Sequence, residues 1–214
     1  TLVSADTLKQ SFDTPLLAIV DCRFDLREPS AGERAYALGH IAGASYAHLE
    51  RDLSDLSKHG RGRHPLPDAD RFCAALGRWG ITPAHQVVAY DEDSGAMAAA
   101  RFWWLLRLFG HARVAVLDGG FAHWSALGLP LDTREPTPVP AYPGHYDRDA
   151  YQSTEQVQAR LGEAPGWLLD ARPPERFRGE FDNLDPVAGH IPGAGNRPFP
   201  ANLCEGRFQP PDEL

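Results

Sequence analysis

The block with the most chemical potential is Asp91-Glu92-Asp93-Ser94-Gly95-Ala96, which follows the apolar run Val87-Val88-Ala89-Tyr90 and leads straight into a second apolar run. A turn from strand to helix aims backbone N–H groups and the positive end of the helix dipole at one point, which suits an anion or a thiolate. Here the turn carries three carboxylates and no cysteine, lysine or Ser–His pair, so it is expected to be catalytically silent. The acids also imitate the opening of a calcium loop, but the twelfth position counted from Asp91 is Phe102 rather than Glu, which excludes that chemistry. Three cysteines, Cys22, Cys73 and Cys204, form no CxxC or Cys/His cluster, so neither a disulfide framework nor a zinc site is expected. Cys22 and Cys73 read as core fillers among apolar neighbours, and Cys204, before Glu205-Gly206, as a residue of a polar loop.

A repeat frames these blocks. Ile19-Val20-Asp21-Cys22-Arg23 is followed by Gly39-His40-Ile41-Ala42-Gly43-Ala44, and Leu168-Leu169-Asp170-Ala171-Arg172 by Gly189-His190-Ile191-Pro192-Gly193-Ala194. The two blocks are offset equally to within one residue, which points to a duplicated domain. Features present in both copies read as structural: ion pairs of Asp21 with Arg23 and of Asp170 with Arg172, and hydrogen-bonding roles for His40 and His190.

The elements that must position these residues alternate along the chain. Leu16 to Val20, Gln86 to Tyr90 and Val114 to Leu117 read as buried strands. Phe72, Leu76 and Trp79 recur at helical spacing after the helix-opening Pro67-Asp68-Ala69-Asp70, and Gly80 stops that helix. Met97 to Phe109 reads as a helix ended by Gly110, and Gly119-Gly120 turns into another near Phe121. Strands alternating with helices predict an α/β fold, a mainly parallel sheet flanked by helices. In the second copy Ser153 is expected to cap a helix holding Val157 and Leu161, followed by a strand from Trp167 to Leu169. Between the copies, Thr133 to Gly144 holds four prolines, which favour extended backbone. The expected division is therefore residues 1–132, a proline-rich linker at 133–147, and 148–214. Pro210-Pro211-Asp212-Glu213-Leu214 resembles a helix start with nothing after it, so the second copy is expected to be incomplete.

Composition narrows the partners. Lys and Arg number 21 against 29 Asp and Glu, a net charge of −8, which disfavours nucleic acid or an anionic membrane surface. No apolar run approaches the ~20 residues of a membrane-spanning helix. With no disulfide pattern, a reducing, cytoplasmic setting is expected.

Taken in order, Val20-Asp21-Cys22-Arg23, Gly39 to Ala44, Trp103-Trp104 before Phe109-Gly110-His111, Leu117-Asp118-Gly119-Gly120-Phe121 with Trp124, and Asp170-Ala171-Arg172 with Gly189 to Ala194 resemble the two-domain rhodanese-type sulfurtransferases, which use thiosulfate or 3-mercaptopyruvate. The resemblance covers the whole chain. It implies two tandem rhodanese-like domains, the first having lost its cysteine, with Asp91 at that position. It implies a catalytic cysteine in the equivalent loop of the second domain, roughly 20 residues past Leu214 by the repeat offset, so that no residue of this chain is the nucleophile. It implies that Arg176 binds substrate, since a guanidinium donates two parallel hydrogen bonds to paired oxygens; Arg178 and Arg197 are weaker candidates for extending a positive pocket. The implied reaction needs no cofactor or metal: a cysteine persulfide passes sulfur from a small anionic donor to a thiol or cyanide. Gly195 departs from the branched apolar residue of the family, and Asp185-Pro186-Val187-Ala188 resembles bacterial members on the mercaptopyruvate side. A non-catalytic anion- or protein-binding module is the alternative, and a complementing carboxy-terminal fragment is a conceivable partner, since an open half-sheet invites pairing.

Overall fold

Short runs of Val, Ile, Leu and Ala that are apolar on both faces become parallel strands here. In the computed structural model they are β1 (Leu2–Val3), β2 (Leu17–Asp21), β4 (Ala44–Tyr46), β5 (Gln86–Tyr90) and β6 (Val114–Leu117), in the spatial order β1-β6-β5-β2-β4 with every pairing parallel. The structure describes all residues except Glu135, Ala164, Pro165, Asp182, Asn183 and Pro186. Glu135 of the proline-rich stretch and Pro186 of the lead into Gly189 thus lie outside the described residues. Thr1–Asp147 forms one compact unit and Arg148–Leu214 another.

Alternate strand residues point to opposite faces, and the core divides accordingly. Val20, Val87 and Ala89 join Phe72, Leu76, Trp79, Phe102 and Leu106 on one face, beneath α3 (Ala69–Arg78) and α4 (Ala98–Leu108). Ile19, Val88 and Tyr90 join Leu8, Ile41 and Trp124 on the other, beneath α1 (Ala5–Gln10) and α5 (Gly120–Ala126). Helix α2 (Ala31–Leu38) precedes β3 (His40–Ile41), which pairs antiparallel with β7 (Leu131–Asp132). Within the expected helix-opening block, Asp68 caps α3 by accepting from the Asp70 and Arg71 amides.

The proline-rich stretch is extended, but it belongs to the first unit and straps it. The Val139 and Tyr142 amides donate to the Gly77 and Cys73 carbonyls of α3, at 2.8 and 3.0 Å, and the Asp147 amide to Leu108 at 2.7 Å. Tyr142 is buried, and Tyr146 meets Phe109 edge-on with ring centroids 4.5 Å apart. Glycine in a helix costs about 1 kcal/mol relative to alanine. Gly77 is there because a Cβ would sit 2.8 Å from the Pro140 carbonyl oxygen.

The second unit is built from short pieces. Helix α6 (Thr154–Ala159) opens with a capping box between Ser153 and Gln156, but ends before Leu161, shorter than expected. Strand β8 (Leu169–Asp170) pairs in parallel with β9 (Gly195–Asn196), starting two residues later than the sequence predicts. Helix α7 (Pro174–Phe177) follows β8. Cys204 lies not in a loop but at the end of β10 (Leu203–Cys204), whose hairpin to β11 (Arg207–Phe208) turns through Glu205 and Gly206 at φ 50° and 75°. Positive φ at both turn positions is the geometry that matches strand twist. Pro210 to Leu214 forms a turn closed by the Glu213 amide on the Pro210 carbonyl, 2.9 Å, rather than a helix start.

Candidate functional site

The carboxyl ends of parallel strands are where such sheets hold ligands, and β5 ends at Tyr90, directly before Asp91. The Asp91 carboxylate is buried and faces inward, accepting from the amides of Gly95 at 2.7 Å, Met97 at 3.1 Å and Ala99 at 3.3 Å. Burial pushes its carboxyl up from the usual range, against the pull of those three N–H groups. The loop is locked from behind: the Phe121 and Ala122 amides at the start of α5 donate to the Asp91 and Glu92 carbonyls, both at 2.8 Å. Gly120, at φ 56°, permits this approach, because a Cβ there would lie 2.7 Å from the Asp91 carbonyl oxygen. The loop is thus a cradle of donors filled by its own carboxylate.

Beside it, Asp21 at the end of β2 holds Arg23. One carboxylate accepts from the Arg23 backbone N–H at 2.9 Å, from Nε, and from a terminal nitrogen at 2.7 Å, while the Tyr90 hydroxyl donates to it at 2.7 Å. Arg23 also donates to the Gly39 carbonyl at 2.8 Å and stacks over Phe121 at 3.9 Å. Burial works against its charge, but the bond to Asp21 prevails and raises the guanidinium's pKa. The two ring nitrogens of His40 face the carbonyls of Tyr36 and Arg134 at 2.9 and 3.1 Å, and its ring stacks on Tyr36.

The second unit repeats this clip. Asp170 accepts from the Arg172 backbone N–H at 2.9 Å, from Nε at 3.0 Å and from a terminal nitrogen at 2.6 Å; Arg172 in turn reaches the Gly189 carbonyl at 2.6 Å. The Arg172 bonds hold the Asp170 carboxyl below the usual carboxylate range. His190 Nδ1 donates to the Phe177 carbonyl at 2.7 Å and its ring stacks on Phe177.

Arg176, on α7, comes next to this clip through Asp185, which the sequence offered only as part of the lead into Gly189 and not as a partner of arginine. Asp185 lies 2.5 Å from one Arg176 terminal nitrogen and 3.4 Å from one of Arg172, so it bridges both guanidiniums. Arg178 and Arg197 do not join the cluster: Arg178 pairs with Glu180 at 2.6 Å, and Arg197 Nε donates to Asn202 at 3.0 Å. Cys22 is buried, with its thiol pushed well up by burial, and Cys204 is exposed; neither faces the arginines in any described contact.

A rhodanese-like domain profile matches residues 4–127, more than half of the chain. The chain belongs to the rhodanese family. Its full length is 46% identical to a protein of Pseudomonas aeruginosa named "Probable 3-mercaptopyruvate sulfurtransferase", covering 76% of that protein. It is 34% identical to the 3-mercaptopyruvate sulfurtransferase of Homo sapiens, covering 74% of it. Among solved structures, SseA of Escherichia coli, described as a 3-mercaptopyruvate sulfotransferase with the rhodanese fold, superposes with a TM-score of 0.86 at 32% identity, over 99% of this chain and 80% of that one. Sulfurtransferase chemistry is therefore the general activity of the family members this chain matches. Among the described residues no helix is long and apolar enough to cross a membrane.

Proposed function

We propose that this chain carries the first rhodanese-like domain and the opening half of the second in a sulfurtransferase acting on 3-mercaptopyruvate or thiosulfate. Arg176 binds the donor anion. The nucleophile is a cysteine in the second-domain counterpart of the Asp91 loop, beyond Leu214. Its strand would pair with β8 as β5 pairs with β2, which would put the cysteine one residue past the partner of Asp170, as Asp91 follows the partner of Asp21.

The observation that carries this reading is the Asp91 cradle. A loop that aims three backbone N–H groups at an anionic side chain supplies what a thiolate or a persulfide needs in the same place. In the reaction the thiolate attacks the donor's outer sulfur. An S–S bond forms as the donor's bond to that sulfur breaks, releasing sulfite from thiosulfate, or the enolate of pyruvate, which takes up the donor thiol's proton. A thiol or cyanide then attacks the outer sulfur of the persulfide and returns the thiolate. No step needs a metal or an organic cofactor. With three free cysteines in the chain, a reducing, cytoplasmic setting suits it.

The test is a sulfite- and pyruvate-release assay on the 214-residue polypeptide beside one continued through the counterpart loop. The shorter chain is expected to be inactive and the longer one active, with activity lost in Arg176→Ala. Turnover by the shorter chain would move the nucleophile to Cys22, Cys73 or Cys204 and overturn this assignment.

A further inference from the structure

Away from the Asp–Arg clips, three guanidiniums converge on the exposed face of α3. Arg71 and Arg78 lie on this helix two turns apart, about 10 Å along its axis, with the small Ala74 and Ala75 between them. Arg51 comes from the loop after β4. Together with Asp52 and Pro67, these residues line a cavity of about 190 Å³. Asp52 anchors two of the arginines from the inside. Its carboxylate is only 4% exposed, and one oxygen accepts from the His48 amide at 3.0 Å and from Arg51 Nε at 3.2 Å. The other oxygen accepts from Arg78 at 3.0 Å. Arg71 donates one long bond, 3.4 Å, to the Arg51 carbonyl. Glu33 and Asp55 stand outside the cavity lining. Glu33 takes one terminal nitrogen of Arg51 at 2.9 Å. Asp55 is 3.7 Å from Arg71 but is held by Ser57 at 2.6 Å and faces Lys58 at 3.5 Å. A guanidinium carries a whole fork of N–H donors, so these bonds leave several on each arginine unused.

We propose that this cavity binds a tetrahedral oxyanion, either phosphate or the phosphoryl group of a larger molecule. Three positive groups held around one small space repel each other, and a multiply charged anion among them turns that repulsion into attraction. Guanidinium forks match the paired oxygens of such an anion. The buried Asp52 fixes Arg51 and Arg78 in advance, which reduces the side-chain freedom lost on binding. The size agrees. Pockets for drug-sized ligands span roughly 300–1,000 Å³. This cavity is smaller and suits one oxyanion with a few waters of about 30 Å³ each. The site lies wholly within the first unit and uses none of the residues assigned to the sulfur donor, so it stands apart from the sulfur-transfer reading.

The experiment titrates inorganic phosphate into the 214-residue chain at an ionic strength held constant with chloride. The Ala74 and Ala75 amides and the Nε–H signals of the three arginines are followed by NMR, which localises binding to this cavity. Saturable shifts are expected with a Kd on the order of 1 mM, and chloride alone should not produce them. Arg71→Gln is expected to weaken binding about tenfold, because it removes a charge-assisted hydrogen bond. Asp52 keeps both of its arginines in that variant, so the fold is retained. Arg71→Lys keeps the charge but not the fork and should weaken binding by less, about threefold. Arg176→Ala should leave these shifts unchanged. Phenyl phosphate separates the two sources: binding tighter than phosphate assigns the site to a phosphoryl group on a larger molecule, and equal or weaker binding assigns it to the free anion. Shifts that rise linearly with phosphate, that chloride reproduces, or that keep wild-type affinity in Arg71→Gln overturn the proposal.

Discussion

Asp21→Ala and Asp170→Ala remove the same carboxylate from the same kind of clip, and their costs should differ because the burial differs. Arg23 and Asp21 expose 4% and 0% of their side chains, whereas Arg172 and Asp170 expose 27% and 14%. Removing Asp21 leaves Arg23 as an uncompensated charge in the interior, a loss of about 3–5 kcal/mol. It also deprives the Tyr90 hydroxyl of its acceptor, an effect that overlaps with the first rather than adding to it. Removing Asp170 lets water reach Arg172, which limits the loss to about 1–2 kcal/mol. Native-state hydrogen exchange reads each clip separately: the Ile19 and Ala89 amides for the first, the Gly195 and Arg197 amides for the second. The Gly195 and Arg197 amides donate to the Leu168 and Asp170 carbonyls at 3.0 Å, so they report directly on the second clip. Equal costs at the two sites, or a cost below about 1 kcal/mol for Asp21→Ala, would refute the claim that burial decides the strength of this motif.

Two further outcomes follow from the burial of single side chains. His111 is buried, which lowers its pKa, and its Nδ1 lies 2.8 Å from the Tyr142 hydroxyl, with Nε2 on the His85 and Arg113 carbonyls. A folded-state pKa depressed below the unfolded one gives stability that is present above the ordinary histidine value of about 6.5 and lost as pH falls through the folded value; urea midpoints should drop across that window, and less so in His111→Gln. Native-state labelling with an aromatic disulfide at pH 8 should modify Cys204 alone, because burial raises the thiols of both Cys22 and Cys73; rapid modification of two or three thiols would contradict the packing described.

The long, strongly patterned elements were legible in the sequence. Helix α4, strands β5 and β6 and the Asp68 cap of α3 lie within a residue or two of where apolar period and capping chemistry place them. Elements whose stability comes from neighbours were not. Helix α2 begins at Ala31, with Ser30 before it making no side-chain cap bond, and β4 is three residues long, so neither leaves a local signature. Helix α6 carried a strong start signal but no tertiary face to extend it, and none of its residues is buried. At the candidate site, repetition alone exposed the Asp–Arg clips. Asp185 stayed hidden because it reaches Arg176 across a loop, at a separation that matches neither helical nor strand periodicity.

The strap bears on how far the first unit can stand by itself. Cut at Asp132, it would keep its whole sheet yet lose Tyr142 and Tyr146, the two aromatic rings that lean on Phe109 and Phe72. Gly77 and Gly80, at φ 72° for the latter, would then be left as notches shaped for backbone no longer there, since their missing Cβ atoms make room for Pro140 and Thr137. The natural seam for excising this unit is after Asp147, and a fragment ending at the strand β7 should be sticky and short-lived, a core with its lid sawn off.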